Sequence, residues 1–359
     1  MINNHIGRLV AITLLLGVSF ASTFAQDAAQ LNDDSATAAL AKEHAVAEVR
    51  SAIAMCGKKE FTKAIPILKK HSDNGDIGAT YVLAKLHSFG LGVEKAPAVA
   101  MELFAKNITD GHVPSMLALA KLKQTDSPAE AIQLIKQASA FGDPTSLTTL
   151  GSIYENGSLG VAANPKLAFK YYEKAAEKGH PFGNFHLARF YDDGIGVSAN
   201  EVQSTRLYRK AAIGGVAAAN PIMAKRYFEG KGIDEDPIAA IGWLTRGAQQ
   251  GSTESMVVLG ERYQRGDVVS KDLNQAGKLF SQAAKMGDPF GTYNLAMLYL
   301  KGTGTKADPV RAYVLLSGAQ SLPKAQEALK ELKQKLTASQ LADAQKQVDA
   351  MKAASGSNQ

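Results

Sequence analysis

A glycine returns at near-constant spacing through most of this 359-residue chain, and no other feature restricts its fold as tightly. Gly75, Gly111, Gly142, Gly179, Gly215, Gly251 and Gly287 are separated by 36, 31, 37, 36, 36 and 36 residues. A period of this length marks an array of one supersecondary unit, each copy burying its apolar face against its neighbours. Further columns keep the same phase. Four residues after each glycine stand Ala79, Ser115, Ser146, Gly183, Ala219, Ser255 and Gly291, all small. Eight after come Leu83, Leu119, Leu150, Leu187, Met223, Leu259 and Leu295, and nine after another small residue. Twelve after come His87 and Lys123, then Tyr154, Tyr191, Tyr227, Tyr263 and Tyr299. Apolar positions four apart define one face of a helix, here helix A, and the small residues mark where another helix comes close.

Helix A ends at a pair of glycines: Gly90 with Gly92, Gly157 with Gly160, Gly194 with Gly196, Gly230 with Gly232, Gly302 with Gly304, and Gly266 alone. Fifteen residues before the next repeat glycine stand the capping candidates Ser127, Asn164, Asn200, Asp236 and Asp272, with Ala96 as the exception, and Asp308 follows one period after Asp272. Pro128, Pro165, Pro237 and Pro309 follow directly, at the first helical position where a missing N–H costs nothing. Helix B then runs through stretches such as "PKLAFKYYEKAAEKG". Each unit is a helical hairpin, no strand pattern interrupts the series, and the fold class is all-α, an α-solenoid.

The segment "GHPFGNFHLARFYDDGIGVSANEVQSTRLYRKAAIGG" and its neighbours resemble Sel-1-like repeats, relatives of the tetratricopeptide repeat, over about residues 59–323. The resemblance rests on the small-xxx-Leu-small-xx-Tyr helix, the Gly-x-Gly-Val turn and the Ala-xx-Tyr-Tyr-x-Lys-Ala-Ala second helix. It implies a right-handed α/α superhelical solenoid of about seven such hairpins with helical caps at both ends. The boundaries expected are 1–25 signal peptide, 26–35 disordered linker, 36–75 a tetratricopeptide-like capping hairpin, 76–323 the repeat array, 324–352 C-terminal capping helices with Thr337 between them, and 353–359 a disordered tail. The second unit, Ser115–Asp143, departs: it is five residues shorter, has no glycine pair and carries Lys123 in the tyrosine column.

Composition limits the functions open to such a chain. With 45% hydrophobic and 21% charged residues it is a folded protein rather than a disordered one. Residues 1–25 join one positive charge, the run "LVAITLLLGVSF" and small residues ahead of a cut between Ala25 and Gln26. That is the layout of a secretory signal, too short to span a bilayer stably. Losing it takes Arg8 and no acid, lowering the formal charge from +6 to +5. So mild a surplus attracts anionic surfaces weakly and lacks the concentrated stripe of a nucleic-acid binder. Cys56 stands alone, so no internal disulfide forms; it reads as a small buried side chain.

Enzyme-like motifs dissolve on inspection. A phosphate loop needs a strand before its glycines and a helix straight after, whereas here a helix precedes and several residues intervene. The first glycine of each pair instead ends helix A in the left-handed conformation. The tyrosine column shares a face with the leucines and reads as inter-helix core rather than a sugar-stacking platform. His112 and His180 share a repeat column, which indicates structure, and the histidines do not form a zinc set. "SLPK" at Ser321–Lys324 has the Ser-xx-Lys form of penicillin-recognising enzymes without its companion motifs.

No catalytic residue, metal or cofactor is therefore expected. One functional lead remains, ten residues after the repeat glycine and opposite the leucines: Lys85, Lys121, Arg189 and Lys225, interrupted by Ser152, Glu261 and Met297. On the concave side of a solenoid these would favour an acidic partner segment. The resulting expectation is an exported, periplasmic, non-catalytic scaffold binding a protein or peptide along its concave face. The alternative is a glycan- or cell-wall-binding accessory protein, or a host-interaction factor.

Overall fold

A computed structural model describes residues 47–356; the expected signal, the 26–35 linker and residues 357–359 lie outside that range. Among the described residues there are eighteen helices and no strand. They divide into two compact units, one up to Asn164 and one from Pro165. The first holds α1 (Ala47–Gly57), α2 (Phe61–Asp73), α3 (Ile77–Phe89), α4 (Pro97–Ile108), α5 (Val113–Lys123), α6 (Pro128–Ala140) and α7 (Pro144–Asn156). The second opens with α8 (Pro165–Glu177), α9 (Pro181–Asp193), α10 (Glu201–Ile213), α11 (Ala219–Glu229) and α12 (Pro237–Gln249). It continues with α13 (Thr253–Arg265), α14 (Leu273–Lys285), α15 (Pro289–Lys301), α16 (Pro309–Gly318), α17 (Pro323–Lys335) and α18 (Ala338–Gly356). Within each unit consecutive helices pack on one another, giving a stack of hairpins, the solenoid architecture.

The small-residue column shows why the period is obeyed. Ala79, Ser115, Ser146, Ala219 and Ser255 have no exposed surface. At Gly183 a Cβ would lie 2.7 Å from the Cβ of Ala175, and at Gly291 2.5 Å from that of Ala283. Helix A is thus pressed onto the end of the preceding helix B, closer than any larger side chain permits. The largest fully buried side chains, Phe104, Phe190, Phe280 and Tyr172 among them, fill the spaces alongside.

The two glycines of a turn do different jobs. Gly194 caps α9 with φ 66°, its N–H donating to the Phe190 carbonyl, and Gly90, Gly157, Gly230, Gly266 and Gly302 take the same left-handed cap. The second glycine faces the preceding hairpin. A Cβ on Gly232 would lie 2.4 Å from the Glu201 carbonyl, on Gly304 2.6 Å from the Cβ of Leu273, and on Gly92 2.2 Å from that of Phe61. Gly196 makes the same approach more loosely. It is exposed, and a Cβ there would stand 3.3 Å from the Pro165 carbonyl. Each contact falls on the first turn of the previous helix B, so this glycine is the seat between hairpins. Gly160 departs, since a Cβ there would meet nothing within 4 Å and only its φ of 75° calls for glycine. The turn after α13 holds Val268 in place of the second glycine, at φ 67°.

Backbone bonds close the A-to-B turn as well. The Asn200 N–H donates to the Tyr191 carbonyl at 2.8 Å, and Asp236, Asp272 and Asp308 donate to those of Tyr227, Tyr263 and Tyr299 at 2.9 Å. Asn200, Asp236, Asp272 and Asp308 also accept from the first free amides of helix B, each such cap contributing about 1 kcal/mol. Ser127 makes no side-chain cap bond. Helix A has its own caps one residue after the repeat glycine. Asp76, Asp143, Ser252 and Asp288 accept from the third amide of their helices, as does His180 through Nδ1.

The tyrosine column is less enclosed than a core position. Tyr154, Tyr191, Tyr227, Tyr263 and Tyr299 are all half-buried, because they close the A-to-B edge of the stack. The α5–α6 connection, lacking glycines, is held by the Ser127 N–H to the Lys123 carbonyl at 2.8 Å and a Lys123–Glu130 ion pair at 2.6 Å. At the far end, Thr337 and Gln340 form a reciprocal capping box at the start of α18. That helix runs to Gly356, past the expected boundary at 352, because Ala353 and Ala354 are strong helix formers.

Candidate partner-binding cleft

In the second unit helix A meets the helix A of the next hairpin (α11 with α13, α13 with α15) more closely than helix B meets helix B. The A faces therefore line the inner side of that stack. A cleft of about 440 Å³ opens there, walled by Ile222, Phe228 and Val258 and by Lys225, Glu229 and Glu254, with Arg226, Arg262 and Asp192 below.

The floor of the cleft is a buried ionic network. Arg226 occupies a column that elsewhere holds Leu86, Ile153, Phe190 and Leu298, eleven residues after the repeat glycine, and is 2% exposed. A cation so enclosed must be paired. Arg226 donates to Asp192 and to the hydroxyls of Thr205 at 2.6 Å and Ser204 at 3.1 Å. Its guanidinium lies 5.0 Å from the Tyr208 ring centre. The Tyr208 phenol is pushed up to about 12, first by burial and then by the Asp192 carboxylate, so it stays neutral and its ring packs against Arg226 and Phe185. Three polar atoms here have no hydrogen-bond partner: Arg226 Nε, Arg262 Nε and Asp192 Oδ1.

Above the floor, charge alternates. Lys225 lies 3.9 Å from Glu229, and Lys231 lies 3.9 Å from Asp192 and 3.8 Å from Glu201. Arg262 stands 4.1 Å from the Phe228 ring centre and donates to Asp267 at 2.5 Å. Burial pushes the Asp267 carboxyl up, but the Arg262 hydrogen bond and the charges of Arg262 and Arg265 outweigh it and hold it below its ordinary value. Desolvation, then the nearby Asp288 charge, raises the Glu254 carboxyl.

The basic row is distributed unevenly. Lys225 stands on the rim of the cleft, 73% exposed. Arg189, on α9, is half-buried, its guanidinium 5.7 Å from the Phe190 ring centre. In the first unit Lys85 is half-buried with Nζ 5.7 Å from the Tyr81 ring centre, and Lys121 is exposed on α5. Column-wise reading missed Arg226 because five of the seven residues in its column are apolar. The available signal was the break itself, repeated at Arg262 one period later.

Other sequence leads resolve into structure. Among the described residues no group of three or more His, Cys, Asp or Glu is placed to hold a metal. His112 is buried with Nδ1 2.8 Å from the Ser115 hydroxyl, and His186 stacks on Tyr172 at 4.7 Å. Cys56 is buried, and burial pushes its thiol up to about 11. Lys324 points its ammonium at the rings of Tyr293 and Phe290, 4.3 and 5.1 Å away.

Comparison with known proteins bears on this geometry. The family described as Sel1 repeat matches residues 77–111, 146–180, 181–216, 222–252, 253–288 and 289–317, passing over the short α5–α6 hairpin. A Sel1 repeat protein from Oxalobacter formigenes superposes with a TM-score of 0.62 at 23% identity, over 89% of this chain and 92% of that one. The protective antigen c5321 of uropathogenic Escherichia coli, described as displaying an SLR fold, superposes with a TM-score of 0.62 at 25% identity, over 79% of this chain and 62% of that one. Chitin synthase regulatory factor 3 of Schizosaccharomyces pombe is 28% identical over 148 residues, 38% of this chain and 16% of that protein's length.

Proposed function

The chain belongs to the Sel1-repeat family, and from that premise we propose that it is a non-catalytic scaffold that binds a protein segment on its helix-A face. The cleft carries this reading. Its lining sets the apolar side chains Ile222, Phe228 and Val258 beside the charged Lys225, Glu229 and Glu254, the mixture that an amphipathic peptide segment complements. Lys225 on its rim, with Arg189 in the same unit and Lys85 and Lys121 in the first, are the partner-facing cations. Because Lys225, Lys231 and Arg226 are each matched by an acid of the chain, the segment preferred in the cleft is mixed in charge around an apolar anchor. Nothing in the cleft joins a nucleophile to a base, and the one strongly shifted phenol, Tyr208, is held protonated. The similarity to a protein named as a regulatory factor supports action through a partner.

Selection of a random peptide library on the chain tests this. Recovered peptides should share a pattern, and Ile222→Asp or Val258→Asp should abolish their binding while Lys271→Glu, away from the cleft, should not. Retention of cell-wall glycan fragments with no peptide consensus would replace this reading with the glycan one. The signal-like residues 1–25 support an exported, periplasmic setting, for which mass spectrometry of the chain made in a bacterium should find Gln26 as the first residue. Retained residues 1–25 would remove that part.

A further inference from the structure

We infer that the B-to-A edge of the second unit is a docking surface for an anionic lipid bilayer. The turns along this edge touch in succession. A Cβ on Gly214 would lie 2.6 Å from Pro181, Arg246 donates to the Ile213 carbonyl at 3.3 Å, Met286 Cε reaches the Cβ position of Gly251 at 3.7 Å, and Lys324 covers Phe290. From this edge project Phe182, 53% exposed, Ile213, 59%, Met286, 56%, and Phe290, 47%. Around them stand Lys174, Lys178, Lys210, Arg246, Lys285 and Lys324, against Glu177, Glu254 and the capping Asp288. The opposite, A-to-B edge mixes acids, among them Asp193, Asp234, Glu235, Asp236, Asp267 and Asp272, with Lys231, Lys271, Lys301 and Lys306. The two edges thus differ in charge, and the basic edge carries the apolar tips.

The fold does not require those tips. The column of Met286 holds Asn74, Asp110, Phe141, Lys178, Gly214 and Gln250 in other repeats, and that of Phe182 and Phe290 holds Glu254. Lysines at helix ends have a second use, since they complement the helix dipole; Met286 touches Gly251 and Phe290 lies under Lys324, yet both keep about half their surface exposed. Side chains standing on turns rather than walling a recess offer a protein partner little shape to match. A bilayer interface needs no matching shape: it takes up apolar tips while its anionic headgroups meet the flanking cations.

Flotation of the chain with vesicles at low salt tests the inference. Binding is expected to equimolar phosphatidylcholine–phosphatidylglycerol vesicles and not to phosphatidylcholine alone. The exposed triple Lys178→Gln, Lys210→Gln, Lys285→Gln should weaken it on the order of a hundredfold, roughly fivefold per cation. Phe182→Ser, Ile213→Ser, Met286→Ser together should abolish it with an unchanged helical circular dichroism spectrum. Lys271→Gln, Lys301→Gln, Lys306→Gln makes the same charge change on the opposite edge and should keep nearly full binding. Absence of flotation, equal binding by the edge variants, or an equal loss in the opposite-edge control would overturn the assignment.

Discussion

The joint between the first two full hairpins and the joint between α9–α10 and α11–α12 are built from the same columns but carry their buried polar fastening at opposite ends. In the first unit the polar fastening sits at the B-to-A end. Buried Asn107 donates to the Ile77 carbonyl at 2.9 Å and to the Ser115 hydroxyl at 3.3 Å, beside His112. In the second unit it sits at the A-to-B end. There Gly232 seats on the Glu201 carbonyl, the Thr205 hydroxyl donates to the Lys231 carbonyl at 3.0 Å, and Arg226 binds Asp192, Ser204 and Thr205. The apolar columns supply the stack; residues outside them choose where it is locked. The short α5–α6 connection has no glycine loop to seat against α4.

The contrast can be broken most severely at Arg226. Arg226→Met leaves Asp192 enclosed without its cation and should cost about 3–5 kcal/mol in urea unfolding followed by circular dichroism. Arg226→Met with Asp192→Asn should cost clearly less than the sum of the two singles; additivity would show that the pair is not coupled. Next comes Gly232→Ala. The left-handed backbone costs about 1–2 kcal/mol and the contact with Glu201 adds about 1–3. Gly160→Ala, with open space around its Cβ position, should show the backbone cost alone, and Gly196→Ala should fall between the two. Equal effects would remove the seat from the description of the joint.

Asn107→Leu tests the first unit's fastening and should cost about 1–3 kcal/mol, leaving the Ser115 and Ile77 groups short of a partner. Val268→Gly should stabilise by about 1 kcal/mol, since it relieves a β-branched residue of a positive φ. The smallest effect is on acid stability. The Asp267 carboxyl is held below its ordinary value in the fold, so its ion pair stabilises above the ordinary carboxylate range and is lost as pH falls through that range. Asp267→Asn should flatten that slope by under about 1 kcal/mol, given the exposure of the pair, measured as the unfolding midpoint against pH.

Much of the architecture was legible because it is written several times over. The small column, the leucines, the glycine turns and the caps Asn200, Asp236, Asp272 and Asp308 each follow from helix geometry and recur at one period. The second glycine was harder to interpret, because its reason lies in the preceding hairpin and not in its own turn. Gly196 and Gly232 look alike in sequence, yet only the second is pressed hard against its neighbour. The cleft was harder still. Lys225 could be placed on an outer face by helical angle, but its neutralising partner and the buried Arg226–Asp192 pair depend on contacts between successive units. Averaging over columns hides such exceptions: the break at Arg226 acquires its meaning only from its partner Asp192, 34 residues earlier.

The seat at the second glycine also bears on how such a chain changes length over generations. Where the seat is present, at Gly92, Gly196, Gly232 and Gly304, the hairpin docks on the first turn of the preceding helix B through a glycine. Excising residues 215–250, one full period, would join Gly214 to Gly251 and bring the α13–α14 hairpin, with Val268 at the seat position, against the first turn of α10. Gain or loss of whole periods is thus a neutral step for the backbone, while an insertion of one or two residues in a turn is not. The array can lengthen or shorten its inner face in hairpin-sized increments, carrying cleft residues such as Arg226 in or out as a single cassette.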